Sequence, residues 1–578
     1  MCGITAFFAY HSSAEAIRAE ELDAVTDSMA ARGPDARGTW ISPDARVGLG
    51  NRRLAIIDVS PDGTQPIWDS ERELVIVFNG EIYNYQELRA QLERGGARFH
   101  THTDTEVLLQ LYRRDGPAMA GLLRGMFALV IWDTRAQRMF VARDPYGIKP
   151  LYFADDGKTI RFASQVKALL AGGAVSRTLD PAGIAGFYLF GSVPEPFTIR
   201  ESIRAMEPGT WMTIDANGRS ETKKYFSIAE IFRRAVEQQS LARLTEPEIL
   251  VAERVTESVA HHLVSDVPVG VFLSAGIDSS ALTLLASQLS REPLHTFTLT
   301  FEEFRGRADD EAPPAERFAR VLGTNHRSRV VTREEFAADL PRIFAAMDQP
   351  TIDGVNTWFI SKAVHESGIK VALSGLGGDE LFGGYPSFTD IPRIVRAPKF
   401  ARSIASRMTK NPKAPALAEY GGTFAGAYLV KRGLFMPAEI PNDVAEEGLR
   451  RLGIFEHTRA LLDPDPESAF GRVATLEATM YMRNQLLRDT DWASMAHSVE
   501  ARTPLVDASL LRQLAPLVVD QGTRCKQHFA AILPKELRER KKTGFFVPLK
   551  EWAGLADDGT TTRMRSWAKM VFERSVMG

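Results

Sequence analysis

The hydrophobic pattern changes its period part way along this chain, and no single sheet architecture accommodates both halves. Between residue 46 and about residue 164, short β-rich runs at 74–78, 126–132 and 138–142 are separated by turns, with one helical stretch at 105–112. From residue 267 strands alternate with helices instead: strands at 267–273, 294–301, 326–331 and 369–373, helices at 279–289 and 314–322. The first pattern predicts an α+β domain. The second predicts a doubly wound parallel sheet, with ligands at the carboxyl ends of its strands and a mostly helical part beyond Arg393. At 578 residues the chain also exceeds what one core sustains. Between 191 and 245 the signal weakens, with Pro194, Pro196, Pro208 and a charged helix-like run at 228–239. The expected division is a first domain over 2–205, a linker over 206–245 and a second domain over 246–578.

A formal net charge of −3 provides no cationic excess to hold nucleic acid or an anionic membrane, which favours small-molecule chemistry. Only Cys2 and Cys525 are present, so neither a disulfide framework nor a clustered cysteine metal site can be built. A reducing, cytoplasmic setting fits. No run of about 18 apolar residues occurs, and Met1-Cys2-Gly3-Ile4 lacks the basic and apolar regions of a secretory signal.

Cys2 follows the initiator Met, whose removal would leave a thiol and a free α-amine on one residue. An amine with an intrinsic pKa of about 7.7 to 8.0 is partly neutral near pH 7 and can take the thiol proton. Downstream stand Arg32-Gly33-Pro34-Asp35, the run Arg53-Leu54-Ala55-Ile56-Ile57-Asp58, then Asn79-Gly80-Glu81-Ile82-Tyr83-Asn84 and Arg143-Asp144-Pro145-Tyr146-Gly147. Together with Cys2 these motifs resemble the glutaminase domain of amino-terminal-nucleophile amidotransferases. The resemblance implies a four-layer αββα sandwich and a thioester formed between Cys2 and the glutamine side chain. It further implies that the Asn79 amide and the Gly80 N–H stabilise the oxyanion. Arg53 would hold the glutamine α-carboxylate, the loop Leu54, Ala55, Ile56 and Ile57 would line the substrate, and Glu81 and Asp104 would receive its α-ammonium. A guanidinium suits a forked ion pair with a carboxylate. Where relatives carry His before Arg-Gly-Pro-Asp, this chain has Ala31.

Ser274-Ala275-Gly276-Ile277-Asp278-Ser279-Ser280 joins a strand to a helix, where free backbone N–H groups and the helix dipole favour an anion. Neither a Walker-type G-x-x-x-x-G-K-[ST] motif nor a dinucleotide fingerprint is present. Alone, the segment could be a Ser-rich helix cap. A second loop, Ser374-Gly375-Leu376-Gly377-Gly378-Asp379-Glu380-Leu381-Phe382-Gly383-Gly384-Tyr385, follows another predicted strand. The first loop resembles the Ser-Gly-Gly-x-Asp-Ser pyrophosphate loop of ATP pyrophosphatases, with Ala275 in place of the first Gly. The resemblance implies a Rossmann-like ATP site at Leu273, Ser274, Ala275, Gly276, Ile277, Asp278 and Ser279, with Leu299, Ser374 and Gly375 near the adenosine. Asp278 and Asp379 would hold Mg2+ through the departing pyrophosphate.

Further on, Ser494-Met495-Ala496-His497-Ser498-Val499-Glu500-Ala501-Arg502-Thr503-Pro504-Leu505-Val506-Asp507 and the Gly-Phe loop Lys542-Thr543-Gly544-Phe545-Phe546-Val547-Pro548 resemble segments of asparagine synthetases. Lys526 stands where that family carries a lysine beside the reacting phosphate, with seven residues between it and Pro534, about one helical turn fewer than in relatives. From Cys2 to about Trp552 the order of motifs is similar to that of glutamine-hydrolysing asparagine synthetases. The resemblance implies hydrolysis of glutamine, ATP cleaved to AMP and pyrophosphate, amidation of aspartate through a β-aspartyl-adenylate, and a homodimer. Leu376 stands where some members have Glu, so a different carboxylate, such as a sugar acid or biosynthetic intermediate, is the alternative acceptor. A sensor that only bound glutamine or nucleotide would have no use for Cys2.

Overall fold

Twelve strands make up the sheets of the first domain in this computed structural model, which describes residues 2–242, 246–307, 310–408, 413–538, 547–553 and 563–577. In chain order they are β1 (Cys2–Ala9), β2 (Ala36–Ile41), β3 (Val47–Arg53), β4 (Ile67–Trp68), β5 (Leu74–Ile82), β6 (Gly125–Asp133), β7 (Arg138–Arg143), β8 (Tyr152–Asp155), β9 (Thr159–Ala163), β10 (Arg204–Ala205), β11 (Thr210–Asp215) and β12 (Ser220–Lys224). They form two antiparallel sheets, ordered β10-β8-β9-β1-β3-β2 and β12-β11-β7-β6-β5-β4. Strand alternation divides the residues between faces. Ile4, Ala6 and Phe8 of β1 pack between the sheets against Val75, Val77, Ala128 and Val130, while Phe7 and Ala9 pack outward with residues of helices Ala19–Asp27 and Val166–Ala171. On the far side Ile76, Phe78, Leu129 and Ile131 pack against helices Tyr85–Arg94 and Asp104–Asp115. Each fully buried side chain of this kind contributes about 1.5–3 kcal/mol. The register is therefore fixed, because a slip by one residue would exchange the two faces.

The second domain carries β13 (Val269–Phe272), β14 (His295–Phe301), β15 (Asn325–Val331), β16 (Val371–Leu373) and β17 (Glu500–Arg502), all parallel, in the order β15-β14-β13-β16-β17. Chain order reverses direction between β13 and β16, and a crevice opens at such a point beyond the strand ends. Val269, Val271 and Val371 are typical of a strand covered on both faces; β17, by contrast, reads Glu-Ala-Arg and gives no hydrophobic signal of its own.

One expected boundary changes. The linker placed over 206–245 contains β11 and β12, which extend the second sheet of the first domain through pairing of β11 with β7. β12 reads Ser-Glu-Thr-Lys-Lys and is exposed throughout, so its pattern resembles a loop. The charged run at 228–239 is a helix, Ile228–Ala242, packed against helix Ala508–Gln521 of the second domain.

The domains meet across a buried polar interface. Arg32 forks onto Asp491 at 2.6 and 3.1 Å, Arg124 reaches Asp507 at 2.8 Å, and Lys370 reaches Asp35 at 2.8 Å. A buried charge left without its partner is costly, so the Arg32–Asp491 and Arg124–Asp507 pairs hold the domains in one arrangement, while the more exposed Lys370–Asp35 pair adds little.

Candidate active sites

Cys2 begins β1 and lies opposite Arg53 of β3 in the antiparallel register. Its side chain is buried, and burial pushes the thiol pKa up; the positive chain terminus, the Leu54 N–H, Arg53 and the Asn51 side chain oppose that rise. The Cys2 backbone N–H donates to Asn79 Oδ1 at 2.9 Å. Asn79 Nδ2, on the same amide, is buried without a hydrogen-bond partner among the described residues. Such an orphan donor is expensive unless a ligand completes it. Next to it, Gly80 leaves no room for a side chain: a Cβ there would lie 2.1 Å from the Met126 carbonyl oxygen. β5 thus delivers Asn79 and Gly80 to the start of β1 as a consequence of strand packing.

The Arg53 guanidinium donates to the carbonyl oxygens of Ser60 at 2.7 Å, Ile57 at 3.3 Å and Asp58, pinning the 54–60 loop around itself. Glu81 and Asp104 are both buried. Desolvation, followed by the nearby Glu500 carboxylate, holds Glu81 well above the usual carboxylate range. Desolvation raises Asp104 to about 6, against a hydrogen bond from the Ile82 N–H at 3.0 Å. Two buried acids that resist ionisation are suited to a cationic ligand, which would relieve both.

Two of the first-domain motifs are architectural. Besides meeting Asp491, Arg32 donates to the Cys2 carbonyl at 3.2 Å, and a Cβ on Gly33 would lie 2.2 Å from the Arg52 carbonyl. Asp144 accepts from the N–H groups of Tyr146, Ile148 and Lys149, and Arg143 makes a bidentate pair with Glu195 at 3.0 Å. Ala31, the departure noted above, uses only its carbonyl, which accepts from Ser498 Oγ at 2.7 Å.

In the second domain a cavity of about 410 Å3 opens where β13, β14 and β16 end. Leu273, Ser274, Ala275, Gly276, Ile277, Asp278, Ser279, Leu299, Ser374, Gly375, Asp379 and Lys526 all line it, so the structure brings every sequence-selected residue of this site together. Ser274 and Ser279 hydroxyls are 2.8 Å apart and the Ser274 N–H donates to Ser279 Oγ at 3.1 Å, closing the turn before helix Ile277–Leu289. The glycines let the second loop approach the first: a Cβ on Gly375 would lie 2.9 Å from Ser279 N, and one on Gly378 2.6 Å from the Asp278 carboxyl carbon. Gly377 has φ +98°, which disfavours any side chain.

Lys526 lies on a short helix, Cys525–Ala530, and bridges Asp278 at 2.5 Å and Asp379 at 2.9 Å. Burial lowers its pKa, but the two carboxylates outweigh burial and raise it. The short spacing to Pro534 therefore leaves the lysine in reach of both acids. Sequence reasoning missed Asn51 beside the Cys2 thiol, and Asn356 and Thr357 in the cavity wall, which open helix Val355–His365 without a motif of their own. Arg502, read in the sequence only as part of the run at 494–507, joins Glu81 at 3.5 Å to the edge strand of the second domain, a contact the sequence did not foretell. Residues 542–546 of the Gly-Phe loop lie outside the described residues.

Comparison with known proteins follows the same division. Residues 1–226 match the glutamine amidotransferase domain family and residues 250–568 the asparagine synthase family. The chain is 32% identical to asparagine synthetase (glutamine-hydrolyzing) 1 of Bacillus subtilis, over 100% of this chain and 90% of that one. A putative glutamine-hydrolyzing asparagine synthetase of Mycobacterium bovis is 32% identical, over 96% and 88% of the two chains. Amidase chry2 of Gibberella zeae is 30% identical, over 88% and 81%.

Proposed function

Because the chain belongs to the asparagine synthase family with an amino-terminal glutamine amidotransferase domain, we propose that it is a glutamine-dependent asparagine synthetase. Its activity class is ATP-driven amidation with glutamine as nitrogen donor. The observation that carries the finer reading is two incomplete sites in one molecule. One is a buried cysteine beside an amide N–H lacking a partner; the other is a cavity with two carboxylates bridged by one lysine.

Removal of Met1 frees the Cys2 amine beside Asn79 Oδ1, where it takes the thiol proton. The thiolate attacks the glutamine amide carbon, and the developing oxyanion takes hydrogen bonds from Asn79 Nδ2 and the Gly80 N–H. Each such preorganised donor supplies about 2.7–4 kcal/mol. Arg53 holds the substrate carboxylate within the loop of Leu54, Ala55, Ile56 and Ile57, and the α-ammonium lies against Glu81 and Asp104. Ammonia leaves, and water cleaves the thioester to glutamate. The stacked sheets and their outer helices support the four-layer αββα sandwich of amino-terminal-nucleophile hydrolases.

In the second site the acceptor carboxylate attacks the α-phosphorus of ATP and pyrophosphate departs along the Ser274–Ser279 loop. Ammonia then displaces AMP from the acyl-adenylate. Asp278 and Asp379 are the residues to hold Mg2+; two carboxylates plus phosphate oxygens are the donor set it favours, and when bound it neutralises the leaving pyrophosphate. Lys526 then turns from the carboxylates toward the phosphates. Ammonium has no lone pair, so the buried interface between the domains favours transfer of neutral ammonia. A homodimer and residence in the cytoplasm belong to the same reading; no described helix is long and apolar enough to cross a membrane.

A second acceptor deserves a test because Leu376 lines the cavity and can neither bind an amine nor move a proton. Purified protein with ATP, Mg2+ and glutamine, with and without aspartate, is assayed for glutamate, AMP, pyrophosphate and asparagine. Aspartate-dependent AMP and asparagine in equal amounts support the leading assignment. Glutamate without AMP or asparagine moves the acceptor to another carboxylate.

A further inference from the structure

A second cavity, of about 310 Å3, lies at the junction of the domains and shares no lining residue with the nucleotide cavity. Its floor is one face of the helix that runs through the second domain: Thr475, Thr479 and Arg483 follow one another at intervals of four and all line the cavity. This helix is π-wound over Glu477–Leu487, a rare winding often found at functional sites. Arg483 Nε donates to the Tyr146 carbonyl at 3.1 Å, and its two amino groups have neither a hydrogen bond nor an ion pair among the described residues. Burial, only partly offset by Glu195, lowers its pKa. Thr475 Oγ1 is likewise buried without a partner. At the rim, Asp463 is exposed and has no ion pair among the described residues, whereas Glu207 is held by Lys224 at 2.5 Å. Phe226 and Leu461 supply an apolar wall.

Among the described residues, a guanidinium whose amino groups are left over, a buried hydroxyl without a partner, an exposed carboxylate at the mouth and an apolar wall match one ligand chemistry, and Glu195, which also lines the cavity, is held by Arg143 at 3.0 Å. We propose that this cavity binds a small α-amino acid, its carboxylate forked by Arg483 and its ammonium facing Asp463. Neither the glutaminase nor the synthetase reaction uses these residues. The wall joins the end of β12 and residues 226–229 to helix Ile454–Ala460, so an occupant fastens the first domain to the helical part of the second. Arg483 also lines a small interior cavity between the domains together with Arg143 and Asp491, which places the occupant's charge next to the interface.

Hydrogen–deuterium exchange on the full chain, with L-asparagine as probe, tests this without relying on turnover. L-asparagine is expected to slow exchange in residues 454–461 and 475–483; succinamate, which lacks the amine, is expected to protect them at least about tenfold less tightly. Arg483→Met is expected to weaken that protection about 30-fold, from the loss of a charge-assisted forked bond, while KM for glutamine stays within about twofold. No protection of these segments by L-asparagine, or equal protection in Arg483→Met, overturns the proposal. Protection by inorganic phosphate but not by L-asparagine also overturns it, leaving an anion site only. Should Arg483→Met fail to fold, Thr475→Val is the second variant: about fivefold weaker protection supports the site and unchanged protection overturns it.

Discussion

In the first domain the proposed reacting groups are placed by strand register, whereas in the second they are placed by loops. Cys2, Asn79 and Gly80 sit on two strands of stacked sheets, Cys2 paired with Arg53 of β3, and Asn79 and Gly80 paired with Ala128 and Phe127 of β6. Asp278, Asp379 and Lys526 come from a turn, a second Gly-rich turn and a six-residue helix, and they meet around an open cavity. The contrast extends to charge. The first site is short of one acceptor for a buried amide N–H, and the second balances two acids against one lysine, which under the proposed function a nucleotide would redirect. A register-built site can be complete before substrate arrives, and a loop-built site finishes its geometry with the substrate.

Separability of the two sites gives the largest effect. Cys2→Ala is expected to lower glutamine-dependent product formation by at least about 10^4-fold, as loss of a nucleophile does, while amidation with free ammonium salt stays within about twofold. Parallel assays with glutamine and with ammonium chloride read this directly. If both activities collapse together, the sites do not work independently. Next in size, Lys526→Met is expected to lower ATP-dependent amidation about 10^3-fold and leave glutamine hydrolysis intact. Removing the lysine also leaves Asp278 and Asp379 repelling each other, so the Mg2+ concentration for half-maximal activity should fall, whereas loss of a mere surface lysine would leave it unchanged.

Asn79→Ala sharpens the register side of the comparison. Losing an oxyanion donor should lower kcat for glutamine hydrolysis about 10^2- to 10^3-fold with KM changed much less. A rise in KM alone would assign Asn79 to substrate binding.

Much of this contrast was legible in the chain itself, for a physical reason. The runs at 74–78, 126–132 and 138–142 are apolar enough to identify β5, β6 and β7, and the strand–helix alternation identifies β13 to β16. The residues that the resemblance singled out for the loop-built site do line one cavity, because most of its glycines and acids fall in two short runs of sequence. What escaped was structure stabilised only by tertiary contacts. β12 is all polar, β17 has three residues, and the Arg32–Asp491 and Glu81–Arg502 pairs join positions hundreds of residues apart, where no local pattern records them. The motif around Arg143 and Asp144 was read as a signature, and its side chains turn out to tie a turn together.

The smallest effect separates the sites by pH. In the free enzyme Asp104 titrates at about 6 and Glu81 is raised further above its ordinary range, both chiefly by burial. Because folding raises these carboxyl groups, the native state binds more protons than the unfolded chain between about pH 4 and 6, so their contribution to stability declines as pH rises through that window. Glutamine binding runs the other way, since its ammonium favours the ionised acids. kcat/KM for glutamine should therefore climb with pH through the Asp104 step near 6, by up to about tenfold per pH unit for that group. Ammonia-dependent synthesis carries no such requirement at these residues; its profile, corrected for the free ammonia present, should lack that step. Asp104→Asn should flatten the step in the glutamine profile at a cost of about tenfold in kcat/KM at pH 7.5, the order of one weakened charged hydrogen bond. An unchanged step in that variant would assign the titration to Glu81 alone and place the ammonium on the Arg502 side of the pocket.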